Sequence, residues 1–273
     1  MSRIETTFKR LKEKSEGALV VFTVAGHPSR EESEGALAAI ADAGADVVEI
    51  GIPFSDPLAD GPAIQAASQR ALEQGVTPSD VLEMVRRFGA QRETPVVLMT
   101  CYNPICQYGV GAFARDARTA GVDGVIITDL PPEEAGEWVE VARARQIDTI
   151  FLLAPTSSAE RMKKVVDLVT GFVYCVSRMG ITGARAELPA DLQDIVARIR
   201  RETDKPIAVG FGISRPAHVA EVCGVAEGAV VGSAVVSLID RERGAAGLLQ
   251  AVAQFVGEMK AATRGRPGGG RQG

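Results

Sequence analysis

Short apolar runs, mostly rich in β-branched residues, recur along the whole chain. Between them lie stretches with apolar positions at helical spacing. The runs at 19–24, 47–52, 96–100, 124–128, 149–153, 172–176, 207–210 and 229–232 predict strands. They are continuous rather than alternating, as expected for a parallel sheet covered by helices. Segments 31–43, 62–74, 78–88, 111–120, 132–145, 159–168, 188–201, 216–223 and 245–261 predict helices. Gly44, Gly121 and Gly171 each precede a strand and read as helix C-caps. Ile4, Phe8 and Leu11 repeat at helical spacing in a charged segment, which predicts an amphipathic helix capping another element.

About eight β-α units in roughly 250 residues is the size of a (β/α)8 barrel. The expected fold is α/β: a single (β/α)8 TIM barrel over 1–262 with an extra N-terminal helix, then a disordered Gly/Pro-rich tail at 263–273. A doubly wound open sheet is the alternative. Its usual dinucleotide fingerprint is absent, because the first turn is Ala25-Gly26-His27-Pro28.

Composition narrows the function. The 273 residues are 46% hydrophobic and 24% charged, which fits one large domain or two small ones. A net charge of -5 argues against a nucleic-acid surface. No apolar run reaches the roughly 20 residues of a membrane span. The charged N-terminus lacks the apolar core of a targeting signal. Cys101, Cys106, Cys175 and Cys223 form no CxxC pair and read as free thiols of a reduced, cytoplasmic protein.

In a barrel, chemistry belongs at the C-terminal strand ends. The most telling end is the run EIGIPFSDPLADGP, from Glu49 to Pro62. Glu49 stands inside an apolar strand, where a carboxylate is costly unless paired or protonated. Pro53, Pro57 and Pro62 stiffen the loop after this strand and hold Asp60 at the mouth of a helix. Structural readings compete: Glu49 bonded to nearby backbone, Asp60 or Asp129 as helix caps, and Tyr174 as core. The Tyr174 hydroxyl needs a buried partner, for which Glu49 is suited.

Three glycine-rich elements suggest a phosphate pocket: Gly180-Ile181-Thr182-Gly183, Gly210-Phe211-Gly212-Ile213-Ser214 and Gly232-Ser233-Ala234. Glycines let backbone N–H groups approach an anion, and a helix N-terminus adds positive potential. Simple tight turns are the other reading. No lysine falls at a strand end, which disfavours a Schiff base. The two histidines, His27 and His218, do not form a metal set. Acid–base chemistry on a phosphorylated substrate remains.

The Glu49–Pro62 run resembles the tryptophan synthase α subunit family. So do Tyr102-Asn103-Pro104, Asp129-Leu130-Pro131, Ser177-Arg178-Met179-Gly180-Ile181-Thr182-Gly183, Gly210-Phe211-Gly212-Ile213 and Gly232-Ser233-Ala234. The likeness covers nearly the whole chain. It implies a barrel that cleaves indole-3-glycerol phosphate to indole and glyceraldehyde 3-phosphate, a carbon–carbon lyase of tryptophan biosynthesis. In that likeness Glu49 is the acid–base group, Asp60 accepts the indole N–H, and Tyr174 stands near the glutamate. Phe22 and Ile64 surround the indole. Gly183, Phe211, Gly212, Gly232 and Ser233 form the phosphate site, and Thr182 lies in a loop that closes over substrate. Pro53, Asp56, Pro57 and Pro131 match the contact surface for a β subunit. The implied assembly is an α2β2 heterotetramer, with pyridoxal phosphate on the partner and no cofactor or metal on this chain.

Two positions depart from the family pattern: His27, where Asp is usual, and Cys101, where an aromatic is common. Three rival readings stand beside the likeness. One is an autonomous lyase releasing free indole, and another is a mainly allosteric partner of the β subunit. The third is a different phosphosugar barrel. That one needs acid–base residues at the first and fifth strand ends, where this chain has Ala25-Gly26 and Ala154-Pro155.

Overall fold

The computed structural model describes residues 1–57, 60–176, 188, 190–210 and 212–264. Helix α1 (Arg3–Glu13) leads into β1 (Ala18–Val24), α2 (Arg30–Asp42), β2 (Val47–Gly51), α3 (Pro62–Glu73) and α4 (Pro78–Gly89). Next come β3 (Val96–Thr100), α5 (Tyr102–Tyr108), α6 (Val110–Ala120), β4 (Gly124–Ile127), α7 (Gly136–Ala144), β5 (Asp148–Ile150) and β6 (Leu152–Leu153). The chain continues through α8 (Ala159–Leu168), β7 (Val173–Val176), α9 (Leu192–Arg200), β8 (Ile207–Gly210) and α10 (Pro216–Val225). It ends with β9 (Gly228–Val231), α11 (Ser233–Glu242) and α12 (Leu248–Ala261).

All strand pairings are parallel, in the order β5-β4-β3-β2-β1-β9-β8-β7-β6. β5 and β6 are two halves of one strand interrupted at Phe151, so the ring closes into the expected (β/α)8 barrel. One apolar layer lies between sheet and helices. A smaller one fills the barrel interior, where Val20, Val47, Val97, Ile126, Ile150 and Val230 meet. Ile4, Phe8 and Leu11 of α1 plug this interior, with the Phe8 and Phe172 rings 5.7 Å apart. Burying each such side chain contributes about 1.5–3 kcal/mol.

The N-terminal ends of the strands share one device. The Leu19 N–H donates to Asp46 Oδ2 at 2.8 Å, and the Val96 N–H to Asp123 Oδ2 at 2.8 Å. The Thr149 N–H donates to Thr170 Oγ1 at 2.9 Å, and the Ile207 N–H to Glu227 Oε2 at 2.9 Å. In each case a side chain ahead of one strand satisfies the first free amide of its neighbour. Asp46 also receives Lys260 Nζ at 2.7 Å. Asp46→Ala leaves a buried amide without its acceptor and Lys260 with only Glu16, 3.6 Å away, and is expected to cost about 2–4 kcal/mol. Urea unfolding measures it; a cost below about 0.5 kcal/mol would mean that other groups replace the carboxylate.

Several expectations need correction. The 102–108 segment is helical, although no apolar period marks it. Helix α7 starts only at Gly136, because the Pro131-Pro132-Glu133-Glu134 stretch turns. Gly121 caps α6 with φ 97°, and Gly44 follows the end of α2 with φ 104°. Gly171 is not the cap of α8: that helix ends at Leu168 with Val169 as its C-cap, and Gly171 instead lies against the Asp148 side chain. The body also extends past 262. Thr263 is buried and accepts the Gly17 N–H, and Arg264 forms a bridge with Glu16. The rest of the expected tail, 265–273, lies outside the described residues.

Candidate active site

Inward-facing positions of β2 alternate Val47, Glu49, Gly51, so the apolar interior is interrupted one step above Val47 by a carboxylate. Glu49 pairs in register with Phe22 of β1 and Val97 of β3. It is 0% exposed, and among the described residues neither of its oxygens has a hydrogen-bond partner. Burial, then the charge of Asp60, pushes its pKa up to about 8.

Asp60 comes from the loop between β2 and α3. Its N–H donates to the Pro57 carbonyl at 3.0 Å, and its own carbonyl accepts from Gln65 Nε2 at 2.8 Å. The N-cap of α3 is Gly61, with Pro62 in the first turn, so the cap position does not fall on Asp60. Burial raises Asp60 to about 6. Tyr174, on β7, is held well above its ordinary value by burial and by the charges of Glu49 and Asp60. Its hydroxyl senses Glu49 without bonding to it, contrary to the pairing expected from sequence.

These three groups face one cavity of about 840 Å³. Phe22, Ile64 and Asp56 line it as well, and so do Gly212, Gly232 and Ser233. Gly212 has φ 69°, which only glycine adopts freely. Gly232 is the N-cap of α11 and has no side-chain cap bond, so the positive end of that helix opens at the cavity wall. Thr182, Gly183 and Phe211 lie outside the described residues.

Gly210 makes room for Tyr174. A Cβ there would stand 2.8 Å from Tyr174 Cε1 and 2.9 Å from the hydroxyl oxygen. Gly210→Ala is expected to displace the ring and cost about 1–3 kcal/mol, readable as a lowered urea midpoint. An unchanged midpoint would show that the ring can retreat.

Other expected positions settle differently. Asp129 does not cap α7; its Oδ1 accepts the Tyr102 N–H at 2.7 Å and anchors the start of α5. Pro53 is buried, Pro57 and Pro131 are half-buried, and Asp56 is exposed. His27 is 1% exposed and is not part of the cavity wall; its Nε2 lies 4.0 Å from Asp240 Oδ1, and burial lowers its pKa. Cys101, Cys175 and Cys223 are buried free thiols, whereas Cys106 is exposed. Phe151, Leu152 and Arg161 also line the cavity, although no local motif in the sequence marks them. The only available signal was that strand five ends nearby.

A (β/α)8 barrel with two raised carboxylates at its strand ends, facing a glycine-lined helix N-terminus, defines a barrel with an acid–base site. The family model for the tryptophan synthase alpha chain matches residues 8–264. The chain is 49% identical over 262 residues to the tryptophan synthase alpha chain of Geobacter sulfurreducens, covering 96% of this chain and 99% of that one. It is 44% identical over 260 residues to that of Solibacter usitatus, covering 95% and 97%. A structure of Mycobacterium tuberculosis tryptophan synthase superposes with a TM-score of 0.90 at 36% identity, covering 96% of this chain and 98% of that one. The alpha subunit from Legionella pneumophila gives 0.90 at 39% identity, with the same coverage. The chain belongs to the tryptophan synthase alpha chain family.

Proposed function

We propose that this chain is a carbon–carbon lyase that cleaves indole-3-glycerol phosphate to indole and glyceraldehyde 3-phosphate. The observation that carries the reading is Glu49: a buried carboxyl with no hydrogen-bond partner among the described residues, beside Asp60, in a cavity also lined by Gly212, Gly232 and Ser233.

The chemistry is a retro-aldol cleavage. Between about pH 6 and pH 8 the pair favours a protonated Glu49 and an ionised Asp60. Glu49 delivers its proton to indole C3, which makes the ring system cationic. Asp60 accepts the ring N–H and stabilises that cation. Glu49, now ionised, takes the proton from the hydroxyl on the carbon attached to C3. That carbon becomes the aldehyde, the C–C bond breaks, and its electron pair restores the aromatic ring. Tyr174 packs beside both acids, and Phe22 and Ile64 flank the ring. The phosphate sits at Gly212, Gly232 and Ser233, where α11 begins, with Gly183 and Phe211 completing that end and Thr182 in a closing loop.

Asp56, Pro57 and Pro131, with Pro53 beneath them, form the face toward a tryptophan synthase β subunit in an α2β2 assembly in the cytoplasm. Pyridoxal phosphate belongs to that partner, and this chain carries no cofactor. Among the described residues, no helix is long and apolar enough to cross a membrane.

The test is indole release from indole-3-glycerol phosphate by the purified chain, with and without a tryptophan synthase β subunit. Slow release alone and strong activation by the partner are expected. Fast release alone would point to an autonomous lyase, and no release in either condition would sink the reading.

A further inference from the structure

Beside Asp60 the cavity has a neighbouring annex, which Glu49 does not line. A second space of about 20 Å³ shares Asp60, Ile64, Cys101 and Thr128 with the main cavity. Beyond them it is lined by Ile52, Phe54 and Ser68. Its volume suits one methyl- or chlorine-sized group. Cys101 lines both spaces. It is the N-cap of α5 but makes no side-chain cap bond, so the local backbone does not require a thiol there. Its Sγ lies 3.6 Å from Thr128 Oγ1, and burial keeps the thiol protonated, with its pKa raised to about 11. At this position the side chain acts as a short wall, and a bulkier one would fill the annex.

We propose that the annex beside Cys101 lets this site accept indole-3-glycerol phosphates carrying a small substituent at ring carbon C7. The inference rests on Asp60 being the acceptor for the ring N–H. That hydrogen bond sets the nitrogen edge of the indole against Asp60. C7 is the substitutable benzenoid carbon nearest the ring nitrogen, one atom beyond the ring-fusion carbon, on the same edge. A C7 methyl therefore enters the space that Asp60 shares with Cys101 and Thr128. A C5 methyl lies on the far side of the ring and gains nothing from the annex. Cys101 is then a specificity-determining residue, because its size sets the depth available on the nitrogen edge.

The experiment compares kcat/KM for the parent, 7-methyl and 5-methyl substrates, with a tryptophan synthase β subunit present. The 7-methyl compound is expected to be cleaved within about threefold of the parent, and about tenfold better than the 5-methyl compound. In Cys101→Phe the 7-methyl-to-parent ratio is expected to fall about tenfold or more. Cys101→Leu, expected to shift the ratio in the same direction, serves if the Phe variant does not fold. A wild-type chain that cleaves the parent but rejects the 7-methyl compound would overturn the proposal. So would an unmoved ratio in the Cys101 variants. No cleavage of the parent is a separate result, which defeats the lyase reading and this inference with it.

Discussion

Glu49→Gln is expected to lower indole release by about 10³-fold while leaving the barrel folded. The amide keeps the shape of the carboxyl but can neither deliver a proton to C3 nor remove one from the hydroxyl. Single-turnover cleavage with saturating substrate measures the loss. Activity within about tenfold of wild type would remove Glu49 from the proton path. Stability should respond in the opposite sense. The folded pKa is about 8, against an ordinary value of 4.5. Below 4.5 both folded and unfolded chains hold the proton, so pH does not discriminate between them. From there to about 8 the unfolded chain releases it first, and folding weakens as pH rises, by on the order of 1 kcal/mol per unit. Gln has no such term. The urea midpoint of Glu49→Gln, relative to wild type, should therefore climb between pH 5 and pH 8. A constant difference across that range would contradict the buried, proton-holding carboxyl.

Asp60→Asn is expected to lower kcat by about 10²-fold, with a smaller change in KM. Its amide oxygen still accepts the ring N–H, so ground-state binding survives. What is lost is the negative charge opposite a cation that exists only on the way to cleavage. The pH profile of kcat/KM, which reports the free enzyme, should change at both ends. The acid limb near 6, which belongs to Asp60, should disappear. The alkaline limb near 8 should move lower, because the Asp60 charge helps hold the proton on Glu49. If both limbs stay in place, Asp60 is not the titrating partner.

The strands were readable because parallel barrel strands are buried on both faces, which leaves unbroken apolar runs. Glu49 was readable for the same reason: a lone carboxylate inside such a run is conspicuous. Helix α5 was not, since it is seven residues long and its first amide is held by Asp129 from another unit. No pattern within 102–108 carries that information. The break at Phe151 was equally silent, because the residue is as apolar as its neighbours. His27 illustrates a different limit. The sequence marked it as unusual, but only the packing shows it buried toward Asp240 of α11 and absent from the cavity wall. Cavity residues such as Arg161 sit on helices that look ordinary, and they meet the site only once the ring closes.

The side chains that hold the strand amides at the base occupy alternate seams of the ring. Asp46 ties β1 to the start of β2, and Asp123 ties β3 to the start of β4. Thr170 ties β5 to the approach to β7, and Glu227 ties β8 to the start of β9. Counting β5 and β6 as one stave, the barrel is four clasped pairs. Each clasp closes within a pair. Main-chain bonds join pair to pair at the same level: Val48 to Pro95, Asp148 to Asp123, Val173 to Pro206 and Ala18 to Glu227. Two of these seams carry a side-chain tie as well, Arg92 to Asp42 and Lys205 to the Val166 and Val169 carbonyls, but neither holds a strand amide. The molecule is thus quartered at its foot. A chain divided between quarters keeps both ends of every clasp in one fragment, whereas a chain divided inside a quarter separates them.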